Sequence, residues 1–458
     1  MKTRFFIKIT FVVLIGVLLI MSYLVYNKSP IYYFDTSAPY QYDFDKTHAI
    51  IYDLDIINNR IILPCIDGND TSTFLKIEVK SNFLGEFFQP SITLISGDIK
   101  TVNYFEYGAK HTRYINISSF INSNVSEIKI ESNGMSINNQ KTELNVFHNI
   151  TVDKKKILII APHPDDAEIA AYGLYAKNKN SYIVTITAGD SGPFNYDEVY
   201  KDTISHYLQK GKLRTWNSLT IPLLGGTPYQ NIINLGFFDE TLEEMKQKDS
   251  LPVKSIFSKT SDINTFRKQN ISNLKNGLSG DTSWKSLVNN LNYLLDTIKP
   301  ELIVCPYPSI DSHLDHKYST IAIIEALQKS KVTSGYLLLY TNHHPLSESY
   351  PYGKSGDPVN LPPNFNNELY FTSIYSNAVS ASLQQDKFFA LEAMNDLRLD
   401  TEWQSIKGSI KIALKNIKRK FLGPQIDYYR RAVRANELFF IIPVSDIYNN
   451  EKLKKITE

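Results

Sequence analysis

Cysteine is scarce in this chain. There are two in 458 residues, Cys65 and Cys305, set far apart, which excludes a disulfide framework and a thiolate-bound zinc site. Cys305 falls in the apolar run Leu302-Ile303-Val304-Cys305 and reads as a small core residue. An excess of one sign of charge is missing too. The net charge is +2, so no global field draws nucleic acid, and none is expected as a partner. Repeats and low-complexity tracts are absent. What is present is ordinary for a globular protein, with 43% hydrophobic and 21% charged residues. The length exceeds one typical core and suits two or three domains. Nothing in the sequence fixes an oligomeric state.

Lys2, Arg4 and Lys8 precede residues 9–25, a stretch without a charged side chain. With residues 5–7 added it approaches the roughly 20 residues of a spanning helix. Basic residues ahead of such a stretch keep the N-terminus inside and export the rest of the chain. A cleaved signal peptide is the rival reading. However, Ile20-Met21-Ser22 and Leu24-Val25-Tyr26 make poor cleavage sites, and no cysteine lies near for lipid attachment. The expectation is an N-terminal transmembrane helix within residues 1–28, anchoring the protein to the membrane with its catalytic part outside the cytoplasm. Secretion after signal cleavage is the alternative.

Residues 29–150 read as a β-sandwich accessory domain. Leu75, Ile77 and Val79 alternate with Lys76, Glu78 and Lys80, the period of a strand with one wet face. Further short strands fall at 91–95, 102–107, 113–117, 127–130 and 143–147, between Asn/Gly/Asp/Ser breaks. The domain is either a packing platform or a glycan-binding face using Tyr104, Phe105 or Tyr107. Over residues 151–458 strands and helices alternate. Strands are expected at 155–161, 182–187, 233–238, 302–305, 336–340 and 438–442, and helices at 167–177, 199–216, 284–298, 316–329 and 382–397. Residues 240–280 are polar and weakly periodic. The alternation argues for an α/β domain with a Rossmann-like, mostly parallel sheet and helices on both faces.

Chemistry concentrates at two strand ends. Ile157-Leu158-Ile159-Ile160 leads into Ala161-Pro162-His163-Pro164-Asp165-Asp166-Ala167-Glu168, and the run ending at Cys305 is followed by Asp311-Ser312-His313-Leu314-Asp315-His316. Open α/β sheets place their sites just past the carboxyl ends of strands. Imidazole and carboxylate are ligands suited to a divalent metal, and three protein ligands with one open position make a catalytic site. His163 and Asp166, three apart, can reach one ion, with His316 as the third ligand. Asp165 is then left beside the ion as a general base for its water. His313 is placed to stabilise an oxyanion and protonate a leaving nitrogen, with Asp315 orienting it. Blander readings exist for each part alone, since an Asp before a helix is often an N-cap and His-x-x-His is common on surfaces. The joint occurrence at two strand ends of one α/β unit favours a site. His343-His344, after the strand 336–340, either lines the same cleft or forms a turn.

The paired motifs resemble the PIG-L/LmbE-like N-acetylglucosaminyl deacetylase family over roughly residues 155–345. Val184-Thr185-Ile186-Thr187-Ala188-Gly189, Leu235-Gly236-Phe237-Phe238-Asp239 and Arg434-Ala435-Asn436-Glu437-Leu438-Phe439-Phe440 add support. The resemblance implies zinc held by His163, Asp166 and His316, Asp165 as general base and His313 assisting the tetrahedral intermediate. It further implies an N-acetylated amino sugar as substrate, here in an extracytoplasmic glycan or glycoconjugate, with acetate released. Fe(II) or Co(II) suits the same ligands. Two positions depart from the family pattern. Its glycine pair is Tyr172-Gly173, and its Arg-x-x-Glu stretch is Arg214-Thr215-Trp216-Asn217, leaving Arg214 as a weaker candidate for sugar contact. Other readings are an amidase acting on another acylated amine and a catalytically vestigial glycan-binding protein.

Overall fold

The computed structural model describes residues 10–16, 19, 32–66, 70–138, 140–194, 196, 199–366, 368–394 and 428–458. Within 1–28, residues 10–16 and 19 are helical, and the rest lie outside the described residues, as do the two candidate cleavage sites. Among the described residues no helix is long and apolar enough to cross a membrane. The transmembrane helix is thus unsupported, and the membrane anchoring and localisation built on it are withdrawn.

The N-terminal part is one antiparallel sheet of nine strands. Thr71–Ser81 is its spine, pairing with Lys110–Asn116 on one side and Lys141–His148 on the other. Its far end also pairs with Met135–Ile137. Met135–Ile137 continues Glu127–Asn133 through Gly134, whose φ of 72° only glycine adopts without strain. Glu127–Asn133 in turn pairs with Arg60–Ile62, the hairpin partner of Ile50–Ile57, which pairs back onto Lys141–His148. The circuit rolls the sheet into a nearly closed barrel around Leu75, Ile77, Ile92, Ile115, Ile128 and Val146. This corrects the expected β-sandwich. Period-2 alternation says which side chains face inward, and it is the same whether two sheets stack or one sheet curls.

The second sheet has seven strands, in the order Ile232–Phe237, Ser181–Thr187, Ile157–Ala161, Leu302–Pro306, Tyr336–Tyr340, Asn436–Pro443 and Ser373–Ala378. The first five run parallel and the last two are antiparallel to their neighbours. Leu158 and Ile160 belong to one apolar cluster and Ile157 and Ile159 to another, so both faces of Ile157–Ala161 are covered. Trp284–Ile298 starts at Ser283, which accepts from the Ser286 N–H, and stops before Pro300. The edge strand Ser373–Ala378 is backed by the first sheet, with the Ser376 N–H donating to Ser72 Oγ at 2.7 Å and Asn116 donating to Ser376 Oγ at 2.8 Å. Phe44, Tyr114, Phe147 and Phe371 fill the space beside this contact. The helix expected over 382–397 runs Ala381–Glu392, and residues 395–397 lie outside the described ones.

Candidate active site and metal centre

Ile157–Ala161 and Leu302–Pro306 are parallel neighbours in register, Ile157 opposite Leu302. Their carboxyl ends open side by side, which brings the two motifs together although about 150 residues of chain separate them. His163 Nδ1 lies 3.1 Å from Asp166 Oδ2, which lies 3.2 Å from His316 Nε2, which lies 3.3 Å from His163 Nδ1. Tetrahedral zinc bonds of about 2.0–2.2 Å set donor atoms about 3.3–3.5 Å apart. The triangle therefore fits one small divalent cation, and its three residues are buried.

The atoms behind the triangle fix its orientation. His163 Nε2 is 3.0 Å from Asp239 Oδ1 and 3.3 Å from Asp315 Oδ2, while His316 Nδ1 is 3.0 Å from Asp311 Oδ2. Each imidazole points its outer nitrogen at a carboxylate, so the neutral ring would keep its proton there and turn its inner lone pair to the triangle, the arrangement that orients metal-binding histidines. Asn342 Nδ2 donates to Asp166 Oδ1 at 2.7 Å, leaving Oδ2 in the triangle. Burial alone would depress the His316 imidazole, but Asp166 and Asp311 outweigh it and lift its pKa to about 10. Burial of His163 is likewise outweighed, chiefly by Asp239, and its pKa is raised. Burial would raise Asp166, yet His316 and His163 hold its carboxyl well below the usual range. The carboxylates thus hold positive charge at the triangle, and a divalent ion answers the same field.

Residues 158–327 match the family described as PIG-L: GlcNAc-PI de-N-acetylase. The chain carries a PIG-L domain. That domain supports a deacetylase or a related hydrolase, and its His/Asp groups can hold a metal ion. No curated protein matches the chain. Among solved structures, the chain is similar to the A40926 pseudoaglycone deacetylase Dbv21, at 15% identity and TM-score 0.33, over 63% of this chain and 98% of that one. It is also similar to the conserved protein TT1542 from Thermus thermophilus, at 17% identity and TM-score 0.30, over 62% and 94%. A third likeness is to GalB, the 4-carboxy-2-hydroxymuconate hydratase from Pseudomonas putida, at 12% identity and TM-score 0.32, over 63% and 96%.

The remaining candidates of the PIG-L domain fall around the triangle. Asp165 stands at the N-cap of Asp166–Lys177 and makes no side-chain cap bond. Its Oδ1 lies 3.2 Å from Arg214 Nη2, and Arg214 Nη1 lies 3.9 Å from Asp239 Oδ2. Gly189, with φ of 66°, leaves room for that guanidinium, since a Cβ there would meet Arg214 Nη1 at 2.8 Å. His313 is the N-cap of Leu314–Lys329, its Nδ1 accepting the Asp315 N–H at 3.2 Å, so the helix begins earlier than expected and His316 sits in its first turn. The Asp315 carboxylate turns away from its expected partner His313. Besides facing His163, it accepts the N–H groups of Glu240 at 2.7 Å and Leu242 at 3.2 Å. The two adjacent histidines divide. The His343 ring lies 5.0 Å from that of His316 and 5.5 Å from that of His313, whereas His344 is buried in a turn with its Nδ1 accepting the Leu346 N–H.

Sequence reasoning gave no role to Asp239, Asp311 or Asn342. Asp311 opened the second motif and Asp239 closed the stretch Leu235-Gly236-Phe237-Phe238-Asp239, so position past a strand end was the available signal for both. Asn342 follows Tyr336–Tyr340 in the same way. Replacing Asp239 by Asn is expected to weaken metal binding about 10–100-fold, because the amide orients His163 less firmly than a carboxylate does. Competition with a chromophoric chelator measures this.

The C-terminal element braces the helix that begins at Asp166. Asp166–Lys177 is broken at Ala171, whose φ of −141° and ψ of 18° are not helical. Glu437 fills the break, its Oε1 accepting the Gly173 N–H at 2.7 Å and its Oε2 the Leu174 N–H at 2.9 Å. Lys387 Nζ donates to the Ile169 carbonyl at 2.8 Å and to Glu437 Oε1 at 3.1 Å. A Cβ at Gly173 would sit 2.7 Å from Val379, so the one glycine left of the family's pair is the sterically required one. Glu437→Ala leaves the buried Lys387 ammonium without its counter-charge and two backbone amides unpaired, and is expected to cost about 3–5 kcal/mol. Lys387→Met combined with Glu437→Leu is expected to cost less. Urea unfolding midpoints compare the two.

Proposed function

We propose that the protein is a metal-dependent N-deacetylase acting on N-acetylhexosamine units of a glycan or glycoconjugate, releasing acetate and the free amine. The observation that carries the reading is the triangle of His163 Nδ1, Asp166 Oδ2 and His316 Nε2, with edges of 3.1–3.3 Å. These residues would hold the ion, zinc in the first place. When bound, such an ion acts as a Lewis acid toward the amide carbonyl and makes water easier to deprotonate.

The chain's own groups do the rest. Asp165, next to ligand Asp166 and not engaged in a cap bond, takes a proton from the attacking water. The Arg214 guanidinium, 3.2 Å from its Oδ1, holds the carboxylate in place. His313 keeps its Nδ1 lone pair on the Asp315 N–H, so its proton sits on Nε2. Burial and the nearby His163 and His316 hold its pKa down at about 4. A neutral imidazole donates a hydrogen bond to the oxyanion and has no spare proton to give. The acid role expected for His313 therefore passes to Asp165, which returns the water's proton to the leaving nitrogen as the C–N bond breaks. Loading the protein with zinc and assaying acetate from N-acetylglucosamine oligomers tests the proposal. Acetate release supports it, and none from any acetylated amino sugar overturns it.

A further inference from the structure

We infer that the aromatic wall formed by Phe194 and Phe257 is a second sugar subsite, one that binds a neighbouring ring of the glycan rather than the acetylated ring itself. This rests on the deacetylase reading. Phe194 leaves 39% of its surface in solvent, yet its loop is held at several points. The Gly192 carbonyl accepts the Tyr207 hydroxyl at 2.7 Å, the Pro193 carbonyl accepts the buried Lys210 ammonium at 2.8 Å, and the Tyr196 N–H donates to His206 Nε2 at 3.1 Å. One face of the Phe194 ring rests on the buried His206 ring, with centroids 3.9 Å apart and planes at 32°. Phe257 extends the wall through Tyr207, at a centroid distance of 4.8 Å.

Both loops are tied to the metal centre. Asp239, which orients His163, accepts Ser191 Oγ at 2.8 Å, three residues before Phe194. The Asp239 N–H donates to Asp190 Oδ1 at 3.0 Å, and Asp190 Oδ2 accepts Ser255 Oγ at 2.6 Å and Ser258 Oγ at 2.9 Å, on either side of Phe257. The wall is therefore fixed relative to the triangle. Its distance favours a second ring. His206 and Arg214 share the helix Thr203–Thr220, about 12 Å apart along its axis, a span longer than one pyranose. A rigid aromatic face with little entropy left to lose suits the apolar C–H face of a sugar.

Phe194→Ala separates the possibilities. The zinc-loaded wild type and variant are assayed for acetate release from N-acetylglucosamine and its tetramer, and tetramer binding is followed by calorimetry. The expected result is unchanged turnover of the monomer, with kcat/KM on the tetramer down about tenfold through KM, the effect of exposing one aromatic face. Phe194→Trp is expected to restore it. Equal losses on monomer and tetramer, or none on the tetramer, would overturn the subsite while leaving the deacetylase reading standing. Tetramer binding that depends on Phe194 without acetate release would keep the subsite and sink the deacetylase. Neither binding nor release would remove both.

Discussion

Asp165→Asn is expected to lower kcat for acetate release by about 10²–10⁴-fold and to leave metal content unchanged. The substitution is nearly isosteric and removes the base without touching the triangle. Asp165 makes no cap bond that the change would break, so helix Asp166–Lys177 keeps its start. Its ion pair with Arg214 is lost, and because both side chains are largely buried the variant is also checked for its urea unfolding midpoint. A reduced kcat with an unaltered zinc stoichiometry assigns proton transfer to this carboxylate. Turnover within about tenfold of wild type would remove it from the chemistry.

The second large effect is on the ion. His316→Ala deletes one corner of the triangle and opens a buried void beside Asp166 and Asp311. Zinc affinity is expected to fall by more than the about 10–100-fold that loss of an orienting group costs. His313→Ala is the control, because His163, His313 and His316 form a rival set of close donors. If the triangle is right, His313→Ala loses activity and keeps the ion. The pH dependence follows from the same groups. In the metal-free protein His316 holds its proton up to about pH 10 and His163 is raised in the same direction, while a ligand imidazole must be neutral. Zinc binding near neutral pH therefore releases protons, and apparent affinity climbs as pH rises toward about 10. Calorimetry in buffers of different ionisation enthalpy counts those protons.

Much of the site was legible in the residues because it is local at each end. His163, Asp165 and Asp166 sit on one strand-to-helix turn, and His313 and His316 sit within one helical turn, so spacing alone constrained them. The distant half of each histidine's surroundings was not legible. Asp239 and Asn342 meet His163 and Asp166 only because Ile232–Phe237 and Tyr336–Tyr340 lie in one sheet with Ile157–Ala161, and strand order is not written in periodicity. Asp315 was paired with its sequence neighbour His313, whereas the helix it opens turns its carboxylate toward His163. Trp284–Ile298 was readable from its cap and its proline. Closure of the first sheet was not, since it depends on Gly134 joining two strands across an edge. Of the N-terminal stretch, residues 10–16 and 19 are described, and among the described residues no helix is long and apolar enough to cross a membrane.

One measurement bears most directly on the triangle. Crystals of the zinc-loaded protein, with diffraction recorded on both sides of the zinc absorption edge, locate the ion without reference to activity. The account predicts a single anomalous peak about 2.0–2.2 Å from His163 Nδ1, Asp166 Oδ2 and His316 Nε2. A peak instead among His163 Nε2, Asp239 and Asp315, a set of donors equally close at hand, or no peak at either place, would contradict it.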